Sequence, residues 1–264
     1  MAALGGGGAA KLRSAPASAL DMPRCEPVPS LEQPGAAARP VDPALPGRMR
    51  EVLQGVIGQP LRQIGALAER LKYQVEPEQA DHVQAMVDAA QRTDAMLRDL
   101  VEFVELYVSG TTPISRRKVD LKLLCERVID SMQGSNPESS IVFTCGASVE
   151  GCWDPDRLAV LLSRLIENAL EHGPARRPIR VTVAGSESSA VLEVASARPI
   201  IDAALLAHIF EPFVRGTCNP LDGDSGLGLG LFLAQAVARA HGGQINLTCD
   251  SVTGTTFRVT LPRA

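Results

Sequence analysis

The chain has 264 residues, a formal net charge of −4 and 45% hydrophobic residues, enough for one large or two small domains with a buried core. The acidic balance and the 3% aromatic content exclude nucleic acid as the main partner, because neither phosphate neutralisation nor base stacking is provided for. Cysteines at 25, 125, 145, 152, 218 and 249 form no Cys-x-x-Cys and no Cys/His cluster at zinc spacing, so they predict no metal site. Scattered thiols fit a reducing compartment. No signal-peptide pattern opens the chain and no run of about 18 apolar residues interrupts it, so a cytoplasmic protein without a membrane segment is expected.

Residues 1–45 are dominated by Ala, Gly, Pro and Ser, including the run Gly5 to Gly8, and hold too little large apolar surface to offset ordering entropy. A disordered tail is expected there. Two long helical patterns follow over 46–110. The first carries Met49, Leu53, Val56/Ile57, Pro60/Leu61, Ile64, Leu67/Ala68 and Leu71. The second opens at Glu76-Pro77, proline being tolerated in a helix's first turn, and runs through Val83, Met86/Val87, Ala90, Leu97, Leu100/Val101, Val104 and Tyr107/Val108. The apolar period is about 3.5, the seam of a helical bundle. A two-helix hairpin cannot bury both stripes alone, so a dimeric four-helix bundle is expected, with docking onto the chain's own C-terminal domain as the alternative.

Ser109 to Pro113 breaks the second helix, and residues 111–118 read as a linker. Mixed α/β patterning begins at 119. Helices are expected over Leu121 to Met132 and Asp154 to Glu171, the latter opening on an Asp cap with Pro155 in the first turn. Strands are expected over Ser140 to Thr144, Ile179 to Val183, Val191 to Val194, Ile245 to Cys249 and Thr255 to Leu261, gathered in one sheet with helices on one face. The fold class is therefore α+β: a helical hairpin, then a two-layer α/β sandwich. Between the last helix and the strands before it lies the run Gly226-Leu227-Gly228-Leu229-Gly230-Leu231. A glycine-rich turn that opens a helix offers backbone N–H groups and a positive dipole end, suited to phosphate, although plain packing chemistry gives the same pattern.

Residues 46–264 resemble the cytoplasmic core of two-component sensor histidine kinases, a dimerising hairpin joined to an ATPase domain of the type shared with gyrase and Hsp90. Four pieces carry the resemblance. Trp153-Asp154-Pro155-Asp156-Arg157-Leu158 leading to Leu165-Ile166-Glu167-Asn168-Ala169-Leu170-Glu171-His172-Gly173 looks like the N box. Ile209 to Gly216 looks like the F box, Gly226 to Leu231 like the second glycine box, and Ala240-His241-Gly242-Gly243 with Gly254-Thr255-Thr256-Phe257 like the closing segment. The resemblance implies ATP and Mg²⁺ as cofactors, Asn168 as the Mg²⁺ ligand, and His172 facing the nucleotide. It also implies phosphate contacts from Arg215, Gly226, Gly228 and Gly230 and a lid over Val214 to Ser225, which here is acidic at Asp222 and Asp224.

Two departures from the family pattern stand out. The hairpin motif His-Glu-Leu-Arg-Thr-Pro-Leu reads here Gly55-Val56-Ile57-Gly58-Gln59-Pro60-Leu61, so the phosphoacceptor position is Gly55 and the acidic residue after it is Val56. Neither supplies a nucleophile, autophosphorylation is expected to be absent, and His82 on the second helix is expected to be a surface or packing residue. The first glycine box, Asp-x-Gly-x-Gly, reads Ser196-Ala197-Arg198-Pro199-Ile200. Ser196 would meet the adenine amino group with a neutral hydroxyl, which predicts roughly tenfold weaker binding than a carboxylate gives. Glu171 adds an acidic group near the phosphates, and Arg164 replaces another polar N-box residue.

The resulting expectation is a degenerate kinase-like signalling protein. It forms homodimers or heterodimers through 46–110 and regulates a sensor kinase or response regulator by binding. The alternatives are an ATP-dependent kinase acting in trans on a histidine or serine of another protein, and an adaptor of the histidine-phosphotransferase type.

Overall fold

The computed structural model describes residues 45–174, 177–197, 203–215, 226–250 and 254–263. Residues 1–44 of the tail expected over 1–45, the glycine-box residues Arg198 and Ile200, and residues 216–225 of the lid expected over Val214 to Ser225 lie outside them.

The first helical stripe folds as α1 (Leu45–Val52), a π-helical turn (Leu53–Gly58) and α2 (Gln59–Leu71). Pro60 accounts for the wide turn. It has no N–H to donate, and in an unbroken α-helix its ring would meet the carbonyl of Val56, so widening the turn relieves the clash. Arg62 bridges the wide turn, donating through Nη2 to the Gln54 carbonyl at 3.3 Å and through Nη1 to Asp94 Oδ1 at 2.9 Å. Gly58 is buried beneath that guanidinium; a Cβ there would lie 2.9 Å from Arg62 Nη1 and 3.3 Å from Leu97 Cδ2.

The second stripe folds as α3 (Pro77–Ser109), which stops at Gly110, left-handed at φ 71°, whose N–H donates to the Leu106 carbonyl at 2.8 Å. Ala68, Val83 and Val87 form the small core between α2 and α3, while Arg50 pairs with Glu105 and Arg98 with the buried Asp94.

The last two residues expected in the linker, Arg117 and Lys118, already belong to β1 (Arg117–Asp120), which leads into α4 (Leu121–Ser135), capped by Asp120, whose carboxylate accepts from the Lys122 N–H at 2.9 Å. Then come β2 (Ile141–Cys145), β3 (Glu150–Trp153), α5 (Pro155–His172), β4 (Ile179–Gly185), β5 (Ser189–Ser196), the short α6 (Ala203–Leu206), α7 (Gly230–Ala240), β6 (Gln244–Asp250) and β7 (Gly254–Pro262). The main sheet has the order β2-β4-β5-β7-β6, with β2 and β4 parallel and the other pairs antiparallel.

The expectation of a single sheet is corrected: β1 and β3 pair separately, antiparallel, with Arg117 opposite Trp153. Gly151 makes room for the indole of Trp153, since a Cβ there would lie 2.3 Å from the ring. The ring is fully buried, and its Nε1 donates to the Pro262 carbonyl at 2.7 Å, stitching the small sheet to the end of the large one.

One face of the large sheet carries the core. Leu161, Leu162, Leu165 and Ile166 of α5 meet Val181, Val183, Leu192, Val194 and Val259 of the strands and Ala234, Val237 and Ala238 of α7. Strict alternation of burial along β5 produces this one-sided packing, and the opposite face carries polar pairs such as Glu193 with Arg258.

Asp154 is the structural hub beside α5. Its Oδ1 accepts from the N–H groups of Asp156 and Arg157 at 3.0 Å each, and its Oδ2 from the Ser115 N–H at 2.7 Å, which fixes the linker to the domain. Burial would raise its carboxyl, but the donors from Ser115, Arg157 and Asp156 hold it below the usual range. Its own N–H donates to Nε2 of the fully buried His241 at 3.0 Å, so the His241 proton sits on Nδ1, which donates to the Val237 carbonyl at 2.8 Å.

Candidate functional site

A cavity of 520 Å³ opens between α3, the outward face of α5 and the loop that starts α7. Each wall has a local cause. The last turns of α5 end at Gly173, an extended C-cap, and bring Asn168, Glu171 and His172 to the rim. Gly226, Gly228 and Gly230 form the floor with Leu229, and Arg215 enters from the end of the F-box stretch.

Of the three glycines, Gly228 is the one that the backbone requires. Its φ is 70°, and a Cβ would lie 2.7 Å from the Val214 carbonyl oxygen and 3.0 Å from the Phe213 carbonyl carbon. A Cβ at Gly226 or Gly230 would meet nothing within 4 Å. The loop is held against Phe213, itself left-handed at φ 64°, whose N–H donates to the Gly228 carbonyl at 3.0 Å. Leu229, at the N-cap of α7, gives that helix no side-chain cap. Its first-turn N–H groups therefore need another acceptor, and phosphate oxygens suit them.

The remaining wall is a feature that motif reading missed. Residues Ala95 to Glu102 of α3 line the same cavity. Arg164, at an N-box position, reaches Asp99 at 2.9 Å and Glu102 at 2.7 Å through Nη2, while Arg157 Nη1 reaches Glu102 at 2.9 Å. The Arg164 side chain is 10% exposed, and its buried Nε has no hydrogen-bond partner. Burial pushes the Asp99 carboxyl above the usual range against the pull of Arg164. Beside these ion pairs, the Phe103 ring meets Phe213 edge-on at 5.0 Å and Phe232 at 5.7 Å. The hairpin thus docks on the ATPase-type domain of its own chain, the arrangement the sequence left as the alternative to a purely intermolecular bundle.

Six of the seven sequence-predicted binding residues line this one cavity: Asn168, His172, Arg215, Gly226, Gly228 and Gly230. Ser196 does not line it; it is buried at the end of β5, opposite Thr255, with its Cβ 3.8 Å from where a Cβ on Gly173 would stand. Gly55 lies in the π-helical turn, exposed, with nothing within 4 Å of a Cβ built there. His82 is exposed near the start of α3, outside the cavity. The donor set fits a polyphosphate: a glycine floor, an uncapped helix start, Arg215 and the Asn168 amide, whose oxygen is a hard ligand of the kind Mg²⁺ takes.

Comparison with known proteins agrees with this architecture. Residues 153–264 match the family of histidine kinase-, DNA gyrase B- and HSP90-like ATPases. The chain is 28% identical over 219 residues to the bacteriophytochrome of Pseudomonas aeruginosa, covering 81% of this chain and 30% of that protein. It is 30% identical over 181 residues to the signal transduction histidine-protein kinase AfsQ2 of Streptomyces coelicolor, covering 69% and 32%. To the sensor protein CutS of the same organism it is 35% identical over 173 residues, covering 62% and 40%. It therefore spans between 30% and 40% of the length of these relatives.

Among solved structures, full-length ShkA in complex with AMPPNP superposes with a TM-score of 0.66 at 22% identity, covering 83% of this chain and 46% of that one. The Acinetobacter baumannii histidine kinase AdeS superposes with a TM-score of 0.54 at 17% identity, covering 83% and 98%. At these identities the likeness is one of fold. Among the described residues, no helix is long and apolar enough to cross a membrane. Residues 153–264 thus match the histidine kinase-, DNA gyrase B- and HSP90-like ATPase family, and together with the hairpin before them they have the architecture of a sensor histidine kinase catalytic core.

Proposed function

We propose that this chain is a pseudokinase of a two-component pathway, which dimerises through its hairpin and regulates a partner kinase or response regulator by binding. The observation that carries the reading is Gly55. The position homologous to the phosphoacceptor is exposed and surrounded by open space, yet it bears no side chain, and Val56 follows where the resemblance calls for an acid. A Cβ there would meet no atom within 4 Å, so glycine is not a steric necessity at this position. Dimerisation is supported by the apolar side chains left exposed along the hairpin. Ile57, Ile64 and Leu71 recur every seventh residue at 44%, 49% and 45% exposure, with Leu67 and Met86 alongside.

The test is incubation with γ-labelled Mg·ATP. The wild-type chain takes up no label, and a label that survives His82→Ala would sink the account of the missing acceptor. The double substitution Gly55→His with Val56→Glu then asks whether the cavity can still deliver phosphate.

The cavity favours a second reading, a kinase that acts in trans on a histidine or serine of another protein. Its phosphate-directed floor is intact at Gly228, and Asn168 stands at the rim. Titration with Mg·ATP, with Asn168→Ala as control, separates the two: no binding at millimolar nucleotide removes the trans-kinase reading.

A further inference from the structure

The contact between α3 and Arg164 sits inside the candidate nucleotide cavity, and this placement has a thermodynamic meaning. Arg164, Asp99 and Glu102 all line the cavity that Asn168 and the glycine floor also line. The guanidinium is nine-tenths buried and still has an unpartnered donor, Nε, so its hydrogen-bonding capacity is incompletely used in the docked arrangement. The docked walls carry Asp99, Glu102, Glu167 and Glu171 against Arg98, Arg164 and Arg215, one carboxylate more than guanidinium. Without the α3 contribution, two carboxylates face two guanidiniums. A polyphosphate is therefore repelled while α3 is docked and is met by a freed arginine once α3 withdraws.

We propose that Arg164 is a two-position latch, held by Asp99 and Glu102 when the hairpin is docked and by ligand phosphate when the cavity is filled, so that docking and occupancy exclude one another. The proposal rests on the reading of the cavity as a nucleotide site, and the ligand class is a nucleoside polyphosphate. Because coupling is reciprocal, the factor by which docking weakens nucleotide binding is the factor by which nucleotide loosens docking. The protein would then report nucleotide level through the posture of its hairpin, an output that needs no phosphoryl transfer. Arg157, paired with Glu102 but outside the cavity walls, retains a weaker hold when Arg164 lets go.

The test uses the full chain, with Mg·ATP as the probe, and reads two quantities: nucleotide affinity by calorimetric titration, and amide hydrogen exchange of the α3 segment 95–108. The latch requires the Asp99→Asn, Glu102→Gln variant to bind ATP about tenfold more tightly than wild type, the effect of returning one charge-assisted hydrogen bond to the ligand. Introducing Arg164→Gln into both backgrounds should abolish that difference. In the wild-type chain, saturating ATP should speed exchange over 95–108, a readout that does not depend on how any variant folds. Equal ATP affinity in wild type and the carboxamide variant, or exchange unchanged by ATP, overturns the latch and leaves the nucleotide site standing. No binding by either protein at millimolar ATP overturns both.

Discussion

The two glycines of the π-helical turn should respond differently to the same small change. Glycine in a helix interior costs about 1 kcal/mol relative to alanine, so each Gly→Ala exchange starts from a gain of that size. At Gly55 nothing opposes the gain, because a Cβ there meets no atom within 4 Å. At Gly58 the added methyl would stand 2.9 Å from Arg62 Nη1 and 3.3 Å from Leu97 Cδ2. Arg62 must then give ground, and it is the residue that joins the Gln54 carbonyl to Asp94. Asp94 keeps Arg98, so the penalty falls at the low end of the range for a disturbed buried polar group, about 1 kcal/mol. Gly55→Ala is therefore expected to be stabilising and Gly58→Ala close to neutral or worse. For a chain of this length a gap of about 1 kcal/mol appears as roughly 2–4 °C in Tm, measurable by thermal denaturation followed by circular dichroism. Equal midpoints for the two variants, or a Gly55→Ala midpoint below that of wild type, would refute the assignment of strain to the Arg62 bridge.

Three further outcomes are expected. Asp154→Ala removes the cap of α5 and the acceptor of the Ser115 N–H together and should cost about 2 kcal/mol in denaturant unfolding, whereas Asp154→Asn retains a capping oxygen and should lose less than half of that. Gly228→Ala forces a methyl into the Val214 carbonyl at positive φ and should cost about 1–3 kcal/mol, while Gly226→Ala, in open space, leaves the melting curve unchanged. Burial lowers the His241 pKa below its ordinary 6.5, against the opposing bond to the Val237 carbonyl, so below about that pH the unfolded chain binds the proton and the folded one resists it. Stability should fall as pH drops through that window, well before Asp154 titrates, and His241→Gln should flatten that part of the Tm profile.

Much of the ATPase-type domain was legible because its signals are local. Asp154-Pro155 marks a cap and first turn at one glance, and the alternation of β5 and β7 needs no knowledge of what lies across from them. The small sheet was not legible: β1 and β3 have four residues each, open on charged or glycine positions, and owe their pairing to the Trp153 anchor at the far end of the chain. The cavity floor was read correctly as a loop. Its need for glycine concentrates at Gly228, which depends on where the Val214 carbonyl comes to rest. The salt links from Asp99 and Glu102 to α5 had no sequence signal, since carboxylates on a long helix ordinarily read as a solvated face. Ser196 was assigned by counting along a motif, and counting cannot tell that the side chain ends in the sheet instead of the cavity wall.

The wide turn between α1 and α2 also sets the phase of everything on either side of it. One additional residue in a turn rotates the following helix by about 100° relative to an uninterrupted α ladder. Arg50 before the turn therefore does not share the azimuth of Ile64 and Leu71 after it, although heptad counting would align the three. A straight helix laid alongside would mesh with one half and miss the other, as at a stutter in a coiled coil. A second copy of this chain carries the same dislocation at the same height. The turn that makes room for Pro60 thus acts as a key cut into the helix surface, which admits partners with a matching offset and rejects those without it.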